Sequence, residues 1–258
     1  QVAKSQPMKL AAMEALYNGG TEQGLTAVAW INPFEQPDYA SGEEPPMKLA
    51  IPYALSVMAT RDIHGFVPGV NDLIKGYITP DGHHEPSYDY KIAQGKKAIA
   101  ALAEYRRLKT QYKGKTLTEK EEAKIAVLTK QIQENMKYFG YGYIRDTSEL
   151  VPYIPVNFWA FRVMVGMGCL FILFFGLLVI LSYNIPVLSV ITRRLLATFG
   201  ILPETEADAQ GIAHLPAWQY WTAIALVPLA YIASESGWLV AEFGRQPWTI
   251  QYMRPGEE

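Results

Sequence analysis

The sequence is poor in the residues that build covalent or metal-based frameworks. It contains a single cysteine among 258 residues, so a disulfide framework is excluded, and we expect Cys169 to be a small buried apolar residue. It has 4 histidines but no Cys/His zinc pattern, no phosphate-binding loop and no G-x-S-x-G motif. Hydrolysis by an activated nucleophile therefore has no candidate residue.

An excess of either charge is also missing. Lys and Arg number 23 and Asp and Glu number 25, giving a net charge of −2 at pH 7, so we expect no nucleic-acid partner. No charged-then-apolar leader follows Gln1, so no signal peptide is visible. We expect the sequence to be a piece of a longer polypeptide.

Charged residues are absent from two long apolar runs. Val163 to Ser182 reads "VMVGMGCLFILFFGLLVILS", and Pro216 to Ser234 reads "PAWQYWTAIALVPLAYIAS". Each is close to the roughly 20 residues that cross a bilayer as a helix. The alternative, a pair of buried helices in a soluble protein, is disfavoured by the length of the runs. Trp218 and Trp221 suit a membrane–water interface, and Pro228 predicts a kink.

The first 150 residues are polar by comparison. The spacing of apolar residues predicts short helices at Gln6–Tyr17 and Ile51–Arg61, with loop at Leu25–Glu44 and turns at 62–87. Two longer polar helices are predicted at Ser87–Tyr112 and Thr118–Phe139, the second with a capping pattern of Thr118 and Glu121. They form a predicted solvated hairpin joined by "KGKT".

The charges that flank the runs predict an orientation. Arg193 and Arg194 follow the first run closely, so the loop Tyr183–Leu215 is predicted to be cytoplasmic. The polar segment then lies on the outer side. Because the two spans are antiparallel, the start of the first span, with Arg162 and Met164, shares a leaflet with the end of the second.

The end of the second span carries the most unusual pattern, in "SESGWLVAEFGRQPWTI". Glu235, Trp238, Glu242 and Arg245 recur at helical spacing and form one stripe. Two interpretations stay open on spacing alone. The stripe either snorkels to the interface with Glu242 and Arg245 paired, or it lines a polar cavity or a metal or heme site.

Met164, Arg162 and the pair His83–His84 are further candidates for a functional role. Met164 can be a sixth ligand of a low-spin heme or an adaptable apolar residue. Arg162 can be an interfacial anchor. The pair His83–His84 can bind a metal or belong to a solvated turn.

Four stretches in order carry a resemblance to one known family. They are "QPMKLAAMEALY", "IPYALSVMATR", "FWAFRVMVG" and "GWLVAEFGRQPW". Together they resemble the C-terminal half of subunit I of cytochrome bd quinol oxidases. The resemblance implies an all-α integral membrane fold: two transmembrane helices of a larger helix bundle, preceded by a long, mostly helical extracytoplasmic loop segment. None of the four histidines matches the family's histidine ligands, so we expect either a fragment or one part of a split subunit.

The resemblance also implies domain limits. Residues 1–150 would be the extracytoplasmic quinol-loop region, with the polar helical hairpin at about 87–139. Residues 151–250 would hold the transmembrane helices, at about 157–183 and 216–243, and residues 251–258 a tail.

Site residues follow from the same resemblance. Met164 matches the methionine ligand of the low-spin heme b, and Arg162 the arginine beside that heme. Glu242 matches the glutamate ligand of a high-spin heme, either the second heme b or heme d. Arg245 and Trp238 match residues lining the hemes. Lys9 and Glu14 match residues tied to quinol oxidation, and Glu235 is expected to line the heme cavity or a proton route.

The implied activity is that of an electrogenic quinol oxidase in the bacterial cytoplasmic (inner) membrane. Quinol, either ubiquinol or menaquinol, would be oxidised on the outer side and oxygen reduced to water. The expected partners are the N-terminal half of the subunit, subunit II, a small single-helix subunit and membrane lipid. The alternatives are a non-catalytic membrane scaffold and a heme-free quinol-binding paralogue.

Overall fold

The computed structural model of the chain describes residues 2–112, 118–182, 188–200 and 217–245. Over these residues it is mainly helical. The elements in chain order are α1 Val2–Ser5, α2 Pro7–Glu14, β1 Leu25–Val28, β2 Leu49–Ile51, α3 Ala54–Thr60, α4 Val70–Lys75, β3 Tyr77–Ile78, β4 His84–Glu85, α5 Tyr88–Gln111, α6 Glu119–Asn135, α7 Ile154–Ser182, α8 Leu188–Thr198 and α9 Ala217–Phe243. Short 3₁₀ helices lie at Tyr39–Ser41, Met136–Tyr143 and Thr147–Leu150.

Two small antiparallel sheets correct the all-α expectation. Strands β1 and β2 pair with Leu25 opposite Ile51 and Val28 opposite Leu49, and β3 pairs with β4. The segment Leu25–Glu44 was predicted as loop, because a four-residue strand with a bulge gives almost no alternation of polar and apolar residues. Ile51 was predicted to begin a helix, but it ends β2, and α3 begins at Ala54.

The short helix α2 lies at the centre of the packing. It begins at Pro7, whose fixed φ suits a first turn, and it ends at Glu14 because Ala15 adopts the left-handed conformation, with φ 48°. The predicted extension to Tyr17 is therefore wrong. Met8, Ala11 and Ala12 of α2 are buried in one apolar cluster with Phe158 of α7. The beginning of α7 is thus held by the polar half of the chain.

The predicted polar hairpin is present as α5 and α6. The Ser87 hydroxyl caps α5 by accepting a hydrogen bond from the Tyr90 N–H. At the start of α6 the Thr118 N–H donates to the Glu121 carboxylate at 2.8 Å, which confirms the predicted capping pattern. Gly95 of α5 lies against the backbone of Tyr138 and Gly142, an approach that leaves no room for a Cβ. The "KGKT" connection lies outside the described residues.

Two helices have the length and composition of membrane spans among the described residues. The candidate spans are Thr147–Ile180 and Trp221–Phe243, and 0% and 17% of their apolar windows are buried within the chain. A core helix of a soluble protein would be mostly buried, so this exposure disfavours that alternative. Cys169 is exposed on α7, so its predicted burial is wrong. The reason is that this helix presents apolar side chains outwards along its length.

Between the spans the predicted loop contains a helix, α8. Its Arg193 is 1% exposed, whereas Arg194 is exposed. The rest of that predicted loop, with His214, falls in residues 183–187 and 201–216, which lie outside the described residues.

The chain divides into two compact units. One contains Gln1–Trp159 together with Leu239–Glu258, and the other contains Ala160–Trp238. Helices α7 and α9 each contribute residues to both units. The first unit therefore combines the polar half of the chain with the last turn of α9.

Candidate functional site

The first unit brings α2 against the last turn of α9 through one close contact. Lys9 is 9% exposed, although lysine is rarely buried without a partner. A Cβ built on Gly244 would lie 2.6 Å from Lys9 Cγ and 2.7 Å from Lys9 Cδ. The aliphatic stem of Lys9 thus occupies the space that any other residue at position 244 would fill.

The ammonium group of Lys9 lies in the electrostatic field of two predicted site residues. Burial lowers the pKa of Lys9 below its usual 10.5, the Arg245 guanidinium lowers it further, and the Glu242 carboxylate opposes both by raising it. Burial penalises the charged form of an amine, and a nearby cation does the same. The structure therefore joins Lys9, Glu242 and Arg245, which the sequence placed at opposite ends of the chain. We call these three residues the charged cluster.

No direct ion pair holds the charged cluster together among the described residues. The Arg245 N–H donates to the Glu242 backbone carbonyl at 3.1 Å, which ends the helix. The Arg245 Nε is buried and has no hydrogen-bond acceptor within the described part of the chain. The interpretation in which Glu242 and Arg245 simply pair with each other is therefore not supported.

Glu14 has a different environment from Lys9, although both belong to α2. Its carboxylate Oε2 accepts a hydrogen bond from the Thr26 N–H at 2.9 Å, and its backbone carbonyl accepts one from the Thr26 hydroxyl at 3.2 Å. Glu14 is 2% exposed. These bonds hold the end of α2 against strand β1 and fix the direction of the Glu14 carboxylate.

The residues of the stripe differ in their exposure. Ser236, Val240 and Gly244 are buried, whereas Glu235 is exposed and Trp238 is 58% exposed. Ser236, Val240 and Gly244 are spaced four residues apart and therefore share one face of the helix, whereas Glu235 and Trp238 lie on an adjacent face. Glu235 and Trp238 are therefore open, whereas Glu242 and Arg245 are half-buried, and both sequence-based interpretations stay possible for Glu235 and Trp238.

The second unit contains the predicted methionine ligand. A Cβ at Gly237 of α9 would lie 3.1 Å from the Met164 Sδ, so the thioether lies against α9 at a position without a side chain. This contact joins the start of α7 to the end of α9, as antiparallel spans require. The Arg162 guanidinium lies 5.4 Å from the centre of the Phe161 ring, an arrangement that suits a cation–π contact.

The histidines give no metal centre in the described part of the chain. His64 Nδ1 lies 2.8 Å from Glu22 Oε1, and His83 Nε2 lies 3.6 Å from Glu85 Oε2. No group of three or more His, Cys, Asp or Glu residues is arranged to hold a metal ion there. His83 and His84 are both exposed, and His84 begins strand β4.

Sequence reasoning missed the residues that make these contacts possible. Gly244 and Gly237 accommodate Lys9 and Met164, and Thr26 holds Glu14. A glycine inside a helical pattern was a usable signal, because glycine is unfavourable there unless the packing needs it. Thr26 gave no such signal. Pro247 and the rest of the "GRQPW" motif beyond Arg245 lie outside the described residues.

Comparison with known proteins identifies one family. The model of the family described as cytochrome bd terminal oxidase subunit I matches residues 1–257. The chain is 29% identical to the cytochrome bd-II ubiquinol oxidase subunit 1 of Escherichia coli (strain K12), with 99% of this chain and 42% of that protein aligned. It is 23% identical to the cytochrome bd ubiquinol oxidase subunit 1 of Bacillus subtilis (strain 168), with 96% and 32% aligned. The chain thus spans less than half the length of these curated relatives.

Proposed function

The chain belongs to the cytochrome bd terminal oxidase subunit I family, and we propose that it forms the quinol-oxidising and heme-binding part of such a subunit. The observation that carries the proposal is the charged cluster. It joins the helix expected to bind quinol, through Lys9, to the residues expected to bind heme, Glu242 and Arg245. A protein that oxidises quinol and passes electrons to heme needs these two sites close together.

In this proposal Lys9 binds the quinol oxygen through Nζ. Oxidation of a quinol releases two protons, so a nearby group must take a proton from a hydroxyl. Burial and Arg245 lower the pKa of Lys9, which increases the fraction of neutral amine able to accept that proton. The Glu242 carboxylate stabilises the ammonium that results.

Glu14 acts in the proposal as the second polar group of α2. The Thr26 N–H orients its carboxylate, so the group does not need to reorganise when substrate binds. A carboxylate in this position can hold a hydroxyl group of quinol or receive its second proton.

The remaining predicted residues suit heme by their chemistry. Arg245 has a buried Nε with no acceptor among the described residues, as expected for a group that binds a propionate. Met164 offers a thioether, and Glu242 offers a carboxylate that has no direct ion pair within residues 2–112, 118–182, 188–200 and 217–245. We propose that Met164 and Glu242 hold heme irons, with Arg162, Trp238, Arg245 and Glu235 around them. Low-spin heme b, high-spin heme b and heme d would supply one-electron redox centres between quinol and oxygen.

The proposal includes a location and partners. The chain would lie in the bacterial inner membrane with residues 1–150 on the outer side, and quinol protons would leave there. Because aligned relatives extend beyond this chain, the histidine ligands would come from the N-terminal half of the subunit. Subunit II and a small single-helix subunit would complete the complex, with ubiquinol or menaquinol as the reductant.

The spectrum of the purified complex tests heme binding. Met164→Leu should convert the low-spin heme to high-spin, because the thioether ligand is lost. Met167→Leu, one turn further along α7, is the matched control and should keep the low-spin spectrum. An unchanged low-spin spectrum in Met164→Leu would remove Met164 from the ligand set.

Quinol oxidation tests the second part of the proposal. Lys9→Ala should lower kcat/KM for quinol, whereas Lys4→Ala should not, because Lys4 is exposed. Equal activity of the two variants would refute the role of Lys9. A heme-free complex that still binds quinol would favour the paralogue alternative. A complex that binds neither heme nor quinol would favour the scaffold alternative.

A further inference from the structure

The β1–β2 sheet has one apolar face that the described chain leaves uncovered. Val28 pairs with Leu49 and Leu25 with Ile51, and directly paired residues of a sheet point to the same side. Val28, Leu49 and Ile51 are each more than half exposed. On the other side Thr26 is buried against Glu14. One side of the sheet thus packs on α2 and the other side is open.

On that face Leu25 packs against the cluster of Leu16, Leu55 and Val67, so the open part consists of Val28, Leu49 and Ile51, and it continues into the loop that joins the two strands. Trp30 and Met47 are also more than half exposed, and Phe34 is 91% exposed. The Trp30 N–H donates to the Pro46 carbonyl at 3.0 Å, so the pairing extends beyond the strands. We call Val28, Trp30, Phe34, Met47, Leu49 and Ile51 the hairpin surface. None of its six side chains carries a charge, and apolar patches of this kind usually mark an interaction site.

The loop of the hairpin is fixed to the start of α7. The Trp159 indole N–H donates to the Ile31 carbonyl at 3.0 Å. The Gln36 amide accepts from the Ile154 N–H at 3.0 Å and donates to the Pro152 carbonyl at 3.4 Å. Phe34 lies between these two attachments in the sequence. The hairpin surface is therefore held beside the first turns of the first membrane span.

An aromatic pair links the two elements. The rings of Trp30 and Trp159 meet edge to face with their centres 6.2 Å apart. Tryptophan is enriched where a protein meets the headgroup region, since the ring is apolar and its N–H is polar. The tryptophan pair and the attachment to α7 both indicate that the hairpin surface lies at the level of a membrane interface.

We propose that the hairpin surface inserts into the lipid headgroup region on the side of the bilayer where α7 begins. The surface is fixed to the first turns of an apolar helix whose candidate span is unburied within the chain, and its own six side chains are uncharged. Phe34 and Trp30 anchor it as interfacial side chains do. This inference rests on α7 crossing the membrane and not on quinol oxidation.

Fluorescence quenching in the complete complex tests the proposal. Cys169 is first replaced by Ala in a background without other reactive cysteines. An environment-sensitive fluorophore is then attached at Leu49→Cys or Phe34→Cys, with Ser41→Cys, in the exposed 3₁₀ turn of the same loop, as the matched control. The complex is reconstituted in nanodiscs with or without headgroup-proximal doxyl lipid, and iodide serves as the aqueous quencher.

We expect loss of intensity at positions 34 and 49 with doxyl lipid, little loss with iodide, and a blue-shifted emission relative to position 41. Iodide quenching at 34 and 49 equal to that at 41 would overturn the proposal, because the surface would then face water. Protection from both quenchers would also overturn it, because a protein surface would then cover the hairpin. An unchanged elution profile and circular dichroism spectrum establish that each labelled variant is folded.

Discussion

Replacing Gly244 with alanine tests the contact that joins the two ends of the chain. The added methyl group would lie 2.6 Å from Lys9 Cγ and 2.6 Å from the Val240 carbonyl oxygen, well inside contact distance. Gly244 does not adopt a positive φ, so alanine causes no backbone strain and the effect comes from lost space. The Lys9 stem must move away from α9, and its ammonium moves with it.

The size of the effect follows from the cost of overpacking. An extra methyl group in a well-packed site costs about 1–3 kcal/mol, which corresponds to roughly a 5- to 140-fold change in an equilibrium constant at about 1.4 kcal/mol per tenfold. Part of that free-energy cost comes from the clash with the Lys9 side chain, and part comes from the clash with the Val240 carbonyl oxygen. In the double variant Gly244→Ala/Lys9→Ala the Cγ and Cδ atoms are gone, so only the second part remains.

A double-mutant cycle on quinol oxidation separates the two parts. We expect Gly244→Ala to lower kcat/KM on its own and to add little in the Lys9→Ala background, with a coupling of about 0.5–3 kcal/mol. Gly176→Ala is the control, because a Cβ there meets no atom within 4 Å, and it should be neutral. Full additivity of Gly244→Ala and Lys9→Ala would refute the reasoning.

Three further predictions concern stability. The free energy of unfolding should rise with pH between the lowered pKa of Lys9 in the folded state and its usual value of 10.5. In this pH range the unfolded state binds more protons than the folded state. Lys9→Met should abolish the rise when unfolding is measured as a function of pH. Glu85→Gln should lower the free energy of unfolding by about 1–3 kcal/mol, because the Lys91 ammonium, 2.6 Å from the Glu85 carboxylate, would lose its charged partner. Glu44→Gln is the control, because the Glu44 carboxylate of its ion pair is exposed, and it should change the free energy of unfolding by less than about 1 kcal/mol. Gly95→Ala should lower the free energy of unfolding by about 3 kcal/mol and make the α5–α6 hairpin sensitive to protease, because the added Cβ meets backbone atoms. Gly140→Ala has open space around its Cβ and should change neither property.

Long periodic segments were the part of the fold that sequence could predict. Helices α5, α6, α7 and α9 are present close to their expected limits, because 17 or more residues of consistent pattern outweigh local ambiguity. The β1–β2 hairpin was missed, since its strands of 4 and 3 residues are stabilised by contacts with α2 that are far away in sequence. The premature end of α2 was missed because Ala15 favours helix, and tertiary packing overrides that preference.

The candidate site was predictable in its residues but not in its grouping. Glu235, Trp238 and Glu242 lie on α9, as their spacing predicted, whereas Arg245 lies two residues beyond the end of that helix. Nothing in the spacing showed that Lys9 would lie against Gly244 and in the field of Arg245, because this arrangement depends on how α2 packs. The same limit applies to Glu14, whose partner Thr26 lies in the unrecognised strand.

The attachment of the hairpin loop to α7 has a consequence for how the protein is made. Ile31 and Gln36 bind groups that lie 128 and 116 to 118 residues further along the chain. During synthesis these bonds cannot form until the ribosome has produced residue 159, in the second turn of the candidate span α7. The hairpin loop must therefore reach its final position together with, or after, the folding of the first turns of α7, because contacts of such high sequence separation form late. Folding of the start of the candidate span and completion of the hairpin surface are one coupled event.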